Sequence, residues 1–301
     1  MVLNKIGLTG AAGMLGHHLR TALEERGIQV VALSRKSEPV KKIIGWNLKD
    51  WQSLEYLDSI FEGVQAVVHA GAMLPDKSKL SSEDLMFNIN VRSCINLGLW
   101  AIKRQVPIVF VSSSCVYRYP EKINLEESAE LGWNELGGFY GFSKLQAEDA
   151  LMRLCSNGLR LAIIRPSAIY GLGLPENKLV SSFLHMARAG KIISLTQPVN
   201  DRINFVHATD VSLAILAILK MGAWDIFNIA SDYLLSVKGL AEACVSVVGN
   251  GDVSVDKEHP LERAPINRFG LNTERAKSCL GWQPSISIKQ GLEMILKEDV
   301  Y

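Results

Sequence analysis

Short apolar runs alternate with longer amphipathic stretches over the first 170 residues of the chain. The apolar runs are NKIGLTG, IQVVALS, AVVHAGA, VPIVFVSSS and RLAIIRPSAIYG, and the stretches between them have helical periodicity. Strands buried on both faces of a sheet give continuous apolar runs, and helices between such strands are typical of crossovers in a parallel sheet. The pattern therefore predicts an α/β fold with a doubly wound parallel sheet.

The alternation is interrupted after about residue 171, at GLGLPENK, and resumes briefly at INFVHATD and WDIFNIA. From about residue 231 the chain reads as helices joined by loops, including HPLERAPINRFG and LGWQPSISIKQGLEMIL. We predict one large domain at residues 1–170, to which residues 203–230 return. Residues 171–202 and 231–301 are predicted to form a smaller, mostly C-terminal lobe.

Charge gives no sign of a polyanionic partner. Over 301 residues, 32 Lys and Arg balance 31 Asp and Glu, for a formal net charge of +1. We therefore expect neither nucleic acid nor a membrane surface as a partner. The N-terminus lacks the apolar core of a signal peptide, and no apolar run approaches the ~18 residues of a membrane span, so we predict a cytoplasmic location.

Cysteine and histidine usage predicts no metal. The chain has five cysteines, an odd number with no C-x-x-C pair, and six histidines, two of them adjacent at positions 17 and 18. Neighbouring residues point to different sides of a helix, so this pair does not suit a metal site. Neither a disulfide framework nor a zinc site is indicated.

Three glycines follow the first predicted strand, in TGAAGMLG. Gly10, Gly13 and Gly16 have G-x-x-G-x-x-G spacing and come directly before a predicted helix. Glycine lets the backbone approach a pyrophosphate, and the N-terminus of a helix offers free N–H groups to it. The motif predicts a dinucleotide site in the large domain.

The residues at the end of the second strand indicate whether NAD or NADP is the dinucleotide. An acidic side chain there would hold the ribose hydroxyls of NAD, whereas an arginine can pair with the 2′-phosphate of NADP. The chain has Ser34, Arg35 and Lys36. We predict NADP, with NAD as the alternative.

A tyrosine and a lysine stand four positions apart in YGFSK. On a helix, Lys144 would lie one turn beyond Tyr140 on the same face, and a nearby cation favours the phenolate form of a tyrosine. Such a pair can exchange protons near neutral pH. An ordinary exposed helical pair is the alternative interpretation.

Eight motifs, taken in order, resemble those of the extended short-chain dehydrogenase/reductase family, in its nucleotide-sugar epimerase, dehydratase and reductase group. They are TGAAGMLG, HAGA, SSSCVY, YGFSK, RPSAIYG, NFVHATDV, FNIAS and LGWQPSISIKQGL. The resemblance covers nearly the whole chain. It implies a Rossmann domain that holds NAD or NADP and a C-terminal lobe that closes over a nucleotide sugar. It also implies a homodimer in which the helices at residues 83–104 and 140–155 pack against their copies.

The resemblance also implies roles for individual residues. Ser113, Tyr140 and Lys144 would be catalytic, with Cys115 as a further candidate. The implied cofactor contacts are Gly10, Gly13, Met14, Leu15, Gly16, Arg35, Ala70, Gly71, Tyr140, Lys144 and Pro166. The implied substrate contacts are Asn90, Lys178, Arg202 and Arg268. His207 is expected to be structural.

Within this group the sequence favours chemistry at C4 of the hexose. Dehydratases of the family place Asp-Glu after the catalytic serine or threonine, where this chain has Ser114 and Cys115, so 4,6-dehydration is disfavoured. Arg35 favours NADP and hence reduction of a 4-keto sugar, but a 4-epimerase stays open. A non-catalytic NADP-binding or sensing protein is the alternative of another class, although Ser113, Tyr140 and Lys144 are all intact.

The string SSCVY is similar to that of GDP-fucose synthase, an NADP-dependent epimerase-reductase. In that enzyme a cysteine at this position and a later histidine exchange protons at C3 and C5. Here Lys178 is near the position of the histidine, and His185 comes about two helical turns too late. Cys115 is therefore either an acid or base, with Lys178 as its partner, or a packing residue.

Overall fold

The computed structural model describes residues 3–75, 83–196, 198–256 and 266–298. Parts of the predicted smaller lobe, including much of HPLERAPINRFG, lie outside these ranges. The described strands are β1 (Lys5–Thr9), β2 (Gln29–Ser34), β3 (Ile43–Gly45), β4 (Ala66–His69), β5 (Ile108–Val111), β6 (Leu161–Pro166), β7 (Ala168–Tyr170), β8 (Ile192–Leu195), β9 (Arg202–His207), β10 (Ile226–Ile229), β11 (Leu234–Ser236), β12 (Asp252–Val255) and β13 (Asn267–Arg268).

The described helices are α1 (Met14–Glu24), α2 (Leu54–Ile60), α3 (Glu83–Phe87), α4 (Ser93–Arg104), α5 (Gly138–Cys155), α6 (Leu179–Arg188), α7 (Ala208–Met221), α8 (Val237–Val248), α9 (Glu274–Leu280) and α10 (Ile288–Glu298). A π-helical segment, Asn88–Arg92, joins α3 to α4. None of the helices in these ranges combines the length and the apolarity of a membrane span. The cytoplasmic location stays a prediction.

A central sheet organises the larger part of the molecule. Within the described ranges it has seven strands in the order β3-β2-β1-β4-β5-β6-β10, and every adjacent pair is parallel. Strand order reverses between β1 and β4, as in other doubly wound sheets, and ligands bind at the carboxyl ends of the strands at such a point. The predicted Rossmann-type α/β fold is confirmed.

Two apolar cores cover the two faces of this sheet. One contains Leu19 of α1 and Ile215 of α7, and the other contains Trp100 of α4 and Leu151 of α5. The buried strands between them carry Val, Ile and Phe on both faces, which explains why they read as unbroken apolar runs. The two cores fix α1 and α5 against the sheet, and both helices begin at its carboxyl edge.

A third apolar core lies outside the central sheet. It joins α6, α8 and α10 with residues of β8 and β9, and Phe183, Leu240 and Leu292 are buried in it. The small strands pair here as β11-β9-β13, as β7 with β9, and as β12 with β8. The divisions at residues 170, 202 and 230 stay predictions.

Candidate active site

A cleft of about 1520 Å³ runs along the carboxyl ends of the central strands. All eleven predicted cofactor contacts line it, and so do Ser113 and Lys178. The glycine loop forms one part of its wall, and the ends of β5 and β6 with the start of α5 form another. The fold therefore gathers motifs that are up to 168 residues apart, from Gly10 to Lys178, around one space.

Two of the three glycines in the loop, Gly10 and Gly16, leave no room for a side chain. Gly10 has φ of +74°, and a Cβ on it would lie 2.7 Å from the amide nitrogen of Gly71. A Cβ on Gly16 would lie 2.1 Å from the Gly10 carbonyl oxygen. Helix α1 starts after Gly13, and no side chain caps it. Its first N–H groups are therefore available to an anion, and this cradle fits the pyrophosphate of a dinucleotide.

Buried hydrogen bonds hold the neighbouring strand ends together. The Thr9 hydroxyl lies 2.7 Å from Nδ1 of His69, and the Gly71 amide donates to the same hydroxyl oxygen at 3.1 Å. Burial and then the charge of Lys144 lower the pKa of His69 to about 3. A neutral His69 therefore fixes the turn that carries Ala70 and Gly71 against the glycine loop.

Arg35 lies at the far end of the cleft, just after β2, with an exposed side chain. Asn47, Leu48 and Lys49 line the same region, and sequence reasoning missed them. They follow β3, whose three residues are too few to show a strand period in the sequence. The Trp46 amide donates to the Ser34 carbonyl at 2.7 Å, which brings this loop beside the end of β2.

The predicted catalytic residues converge from two elements. Ser113 caps the short 3₁₀ turn Ser114–Val116, and its Oγ accepts a hydrogen bond from the Cys115 amide at 3.2 Å. Tyr140 lies in the first turn of α5, and Lys144 lies one turn later. The Lys144 ammonium is buried, donates to the Val111 carbonyl at 2.7 Å, and lies 4.6 Å from the centre of the Phe110 ring.

The pKa of Tyr140 differs from the sequence expectation. Lys144 was expected to lower it, but burial raises it, the nearby Cys115 raises it further, and the Ser113 hydroxyl opposes them. Burial also lowers the pKa of Lys144 itself, to about 8. The reason is that desolvation of the half-buried phenol and of the buried ammonium outweighs the attraction between them, and the ammonium is directed to the Val111 carbonyl.

Cys115 lies behind the cleft wall rather than in it. Its Cβ sits close to α5, at 3.2 Å and 3.3 Å from where Cβ atoms on Gly137 and Gly141 would be. Burial raises the pKa of its thiol, which therefore stays protonated. Of the proposed proton-exchange pair, only Lys178 lines the cleft.

Three predicted substrate contacts lie away from the cleft lining. Asn90 is buried, and its side chain bonds the backbone of Met73 and the Ser143 hydroxyl, so it supports the cleft wall from behind. Arg268 is held by Asp201, with Nη2 and Oδ2 2.8 Å apart. Arg202, at the start of β9, is exposed. None of the three side chains lines the cleft in this structure, and their roles toward a substrate stay predictions.

Two serines that sequence reasoning did not assign line the cleft. Ser112 follows β5 and Ser167 follows β6, and both are more than nine-tenths buried. Neither hydroxyl has a hydrogen-bond partner among the described residues. Each can therefore bond a ligand without losing a protein partner. The sequence signal that could have identified these two serines is their position in the motifs SSSCVY and RPSAIYG.

His207 caps α7, since its Nδ1 accepts a hydrogen bond from the Thr209 amide at 3.2 Å. It does not line the cleft. In the part of the chain that the structure describes, no three His, Cys, Asp or Glu side chains are placed to hold a metal ion.

Comparison with known proteins defines the class to which this fold and site belong. The chain is an enzyme of the extended short-chain dehydrogenase/reductase type, as its motifs predicted. It belongs to the NAD-dependent epimerase/dehydratase family, whose sequence model matches residues 6–230.

Individual relatives are distant but match over the full length. The chain is 25% identical to dTDP-4-dehydro-6-deoxyglucose reductase of Escherichia coli, over 98% of this chain and 97% of that protein. Among solved structures, MoeE5 in complex with UDP-glucuronic acid and NAD superposes with a TM-score of 0.84 at 20% identity, over 99% of both chains. UDP-glucose 4-epimerase of Thermotoga maritima with UDP-glucose gives 0.82 at 21% identity, over 99% of this chain and 100% of that one. These two structures show the fold.

Proposed function

We propose that this protein is an NADP-dependent oxidoreductase that acts at C4 of a nucleotide sugar, with reduction of a 4-keto sugar as its direction. One observation carries the proposal: Ser113, Tyr140 and Lys144 line the same cleft as the glycine cradle. The E. coli relative, a dTDP-4-dehydro-6-deoxyglucose reductase, supports a substrate of this kind.

The pKa of Tyr140 supports the reductive direction. Because burial raises that pKa, the phenol holds its proton at neutral pH and can donate it to a sugar oxygen. The Cys115 amide occupies an acceptor site on the Ser113 oxygen, which leaves the serine proton free for the same sugar oxygen. NADP, when bound, supplies the hydride.

Lys144 has two tasks in this proposal. Its chain anchors the end of β5 through the Val111 carbonyl, and its charge lies one turn from Tyr140. With a pKa of about 8, the amine is mostly protonated at neutral pH and can donate to a ribose hydroxyl or resupply a proton. Loss of Lys144 therefore affects both binding and turnover.

NADP is proposed over NAD on the charges at the end of β2. Arg35 and Lys49 line that end of the cleft, and Ser34 there is not acidic. A guanidinium suits a phosphate better than a diol, because it offers paired donors and a full charge.

A 4-epimerase is the second candidate, since the Ser, Tyr and Lys arrangement serves both reactions and a UDP-glucose 4-epimerase shares the fold. The test is to purify the protein and record its absorbance, then mix it with NADPH and dTDP-4-dehydro-6-deoxyglucose. A cofactor-free protein that oxidises NADPH is a reductase. Retained oxidised cofactor and conversion of UDP-glucose to UDP-galactose would indicate the epimerase instead.

A thermal-shift screen of GDP-, UDP-, dTDP- and CDP-sugars with both cofactors identifies the nucleotide. The same screen tests the non-catalytic alternative. A protein that is stabilised by NADPH but by none of the sugar nucleotides, and that oxidises no NADPH, would be a binding or sensing protein.

An epimerase-reductase of the GDP-fucose synthase type makes a different prediction. It requires Cys115 and Lys178 to exchange protons at carbons beside the 4-keto group, yet the half-buried Cys115 does not line the cleft and burial raises the pKa of its thiol. We expect no deuterium from D₂O at C3 or C5 of a 4-keto-6-deoxy sugar nucleotide. Deuterium there that Cys115→Ser abolishes would reinstate this activity.

A homodimer through α3, α4 and α5 is proposed as the assembly. Leu85, Leu99 and Met152 are each more than 40% exposed on these helices, which leaves apolar area for a copy to cover. Light scattering at micromolar concentration should give about twice the 33.2 kDa of one chain. A mass of one chain would remove the dimer.

A further inference from the structure

Asn134 joins the turn that carries Ser113 to the helix that carries Tyr140. It lies in the loop before α5, and its side chain is 6% exposed. Its Nδ2 donates to the Cys115 carbonyl and to the Tyr117 carbonyl, each at 2.8 Å. Its Oδ1 accepts from the Gly137 amide at 2.7 Å. Both Nδ2 protons are thus used on the serine turn, and the oxygen is used at the helix start.

The helix approaches the turn closely enough for this bridge because two glycines face it. A Cβ on Gly137 would lie 2.8 Å from the Cys115 carbonyl oxygen, and one on Gly141 would lie 2.7 Å from it. The same carbonyl accepts from Asn134. Cys115 is therefore clamped between the amide of Asn134 and the first turns of α5.

Fixing Cys115 also orients Ser113. The Cys115 amide donates to the Ser113 Oγ, so the position of this amide holds the serine oxygen and restricts the directions open to its proton. Asn134 itself does not line the cleft. Any effect it has on a reaction there must pass through the groups it holds.

We propose that Asn134 is a positioning residue, which sets the Ser113 hydroxyl relative to the Tyr140 hydroxyl by bridging the serine turn to the start of α5. The inference rests on the proposed function, in which both hydroxyls bond one sugar oxygen. In this role Asn134 affects the reaction, whereas an ordinary loop asparagine would affect only the stability of the protein.

A double-mutant cycle tests the proposal, with kcat for NADPH oxidation by dTDP-4-dehydro-6-deoxyglucose as the readout. Asn134→Ala should lower kcat about 10- to 100-fold and leave the Kd of NADPH within about twofold. In a Ser113→Ala background the same change should lower kcat less than about threefold, because no serine is left to position. Fully additive losses would overturn the proposal.

Asn96 provides the matched control. It is a buried asparagine in α4 that accepts from the Gln52 amide at 2.8 Å and donates to the Gln52 carbonyl at 3.0 Å. Asn96→Ala removes similar backbone bonds away from the serine turn. We expect Asn96→Ala and Asn134→Ala to lower the melting temperature by similar amounts, and we expect Asn96→Ala to leave kcat unchanged.

Hydrogen exchange gives a second readout that needs no substrate. Asn134→Asp keeps the acceptor for the Gly137 amide and loses the two donor bonds. Peptides covering residues 112–117 should exchange faster in this variant, while the Gly137 amide stays protected; in Asn134→Ala both should exchange faster. Unchanged exchange at residues 112–117 in either folded variant would overturn the proposal. A wild-type protein that is inactive on every sugar nucleotide would refute the proposed function. The hydrogen-exchange result would still show whether Asn134 holds the serine turn to the start of α5.

Discussion

Glu148 and Arg165 form an ion pair inside the protein, with Oε2 and Nη2 2.7 Å apart and about 1% of each side chain exposed. Arg165 also donates to the Tyr117 hydroxyl at 3.2 Å and to the Glu127 carbonyl at 2.9 Å. Glu148 lies one helical turn beyond Lys144, and its charge raises the pKa of that lysine against the larger effect of burial. The pair therefore connects α5 to β6, and the Glu148 charge favours the protonated form of Lys144.

Glu148→Gln should lower the free energy of unfolding by about 3 kcal/mol, because it leaves the Arg165 charge buried without its counter-ion. Urea unfolding measures this. Asp149→Asn is the matched control, since it breaks the exposed Asp149–Arg153 pair on the same helix and should leave stability nearly unchanged. Equal effects of the two changes would show that the buried pair contributes no more than a surface pair.

Tyr140→Phe should lower kcat by about 10² to 10⁴ and leave NADPH affinity nearly intact, because it removes only the proton donor. Lys144→Ala should impair both quantities. Steady-state kinetics and fluorescence titration of NADPH separate the two effects. A Tyr140→Phe variant that keeps more than half of the wild-type kcat would refute the proton-transfer role.

Arg35→Asp should weaken NADP binding and leave NAD binding unchanged or improved, because it exchanges a phosphate partner for a carboxylate that suits ribose hydroxyls. Lys36→Asp changes the charge equally one residue later, at a side chain that does not line the cleft, and should affect NADP much less. Titration of both nucleotides gives the answer. Tighter binding of NAD than of NADP by the wild type would contradict the cofactor assignment.

Acid should destabilise the fold through His69 and His207. Thr9, Ser93 and Lys144 face His69, and burial lowers the pKa of this histidine to about 3. His18, Tyr170 and Asp210 surround His207, and burial lowers its pKa to about 4. An unfolded histidine titrates near 6.5, so below that pH the unfolded state binds more protons than the native state. Stability present above pH 6.5 is therefore lost as the pH falls towards 4, by up to about 1.4 kcal/mol per pH unit for each histidine.

His207→Asn tests this effect, because asparagine can still cap α7 but does not titrate. Urea unfolding at pH 6.5 and pH 5.0 should show a smaller loss in this variant than in the wild type. His185→Asn, at an exposed position, should keep the wild-type loss. If the three proteins lost the same stability, the buried His207 would not be a source of acid sensitivity.

The sequence was sufficient for those parts of the account that depend on local pattern. The parallel sheet followed from unbroken apolar strands, and the glycine loop from its position between β1 and α1. The orientation of Asn90 and Arg268 could not be read in this way, because it depends on partners far along the chain: Met73 and Ser143 for one, Asp201 for the other. The bridge made by Asn134 could not be predicted for the same reason, because its side chain bonds backbone carbonyl groups, and these are present at every residue.

The sign of the Tyr140 shift was also beyond the sequence. Spacing placed a lysine one turn away, but the net pKa depends on how deeply both groups are buried and on the carbonyl that the ammonium bonds. Desolvation is a property of the packed core, and it prevailed over the pairwise attraction.

Transfer of a labelled hydride tests the central claim most directly. The protein is incubated with dTDP-4-dehydro-6-deoxyglucose and with NADPH in which both hydrogens at C4 of the nicotinamide are deuterium, and the product is examined by mass spectrometry and NMR. We predict one deuterium on C4 of the sugar in wild type, and a rate at least about 100-fold lower in Tyr140→Phe. NADPH consumption without deuterium at C4, or deuterium at C4 formed equally fast by Tyr140→Phe, would contradict the account.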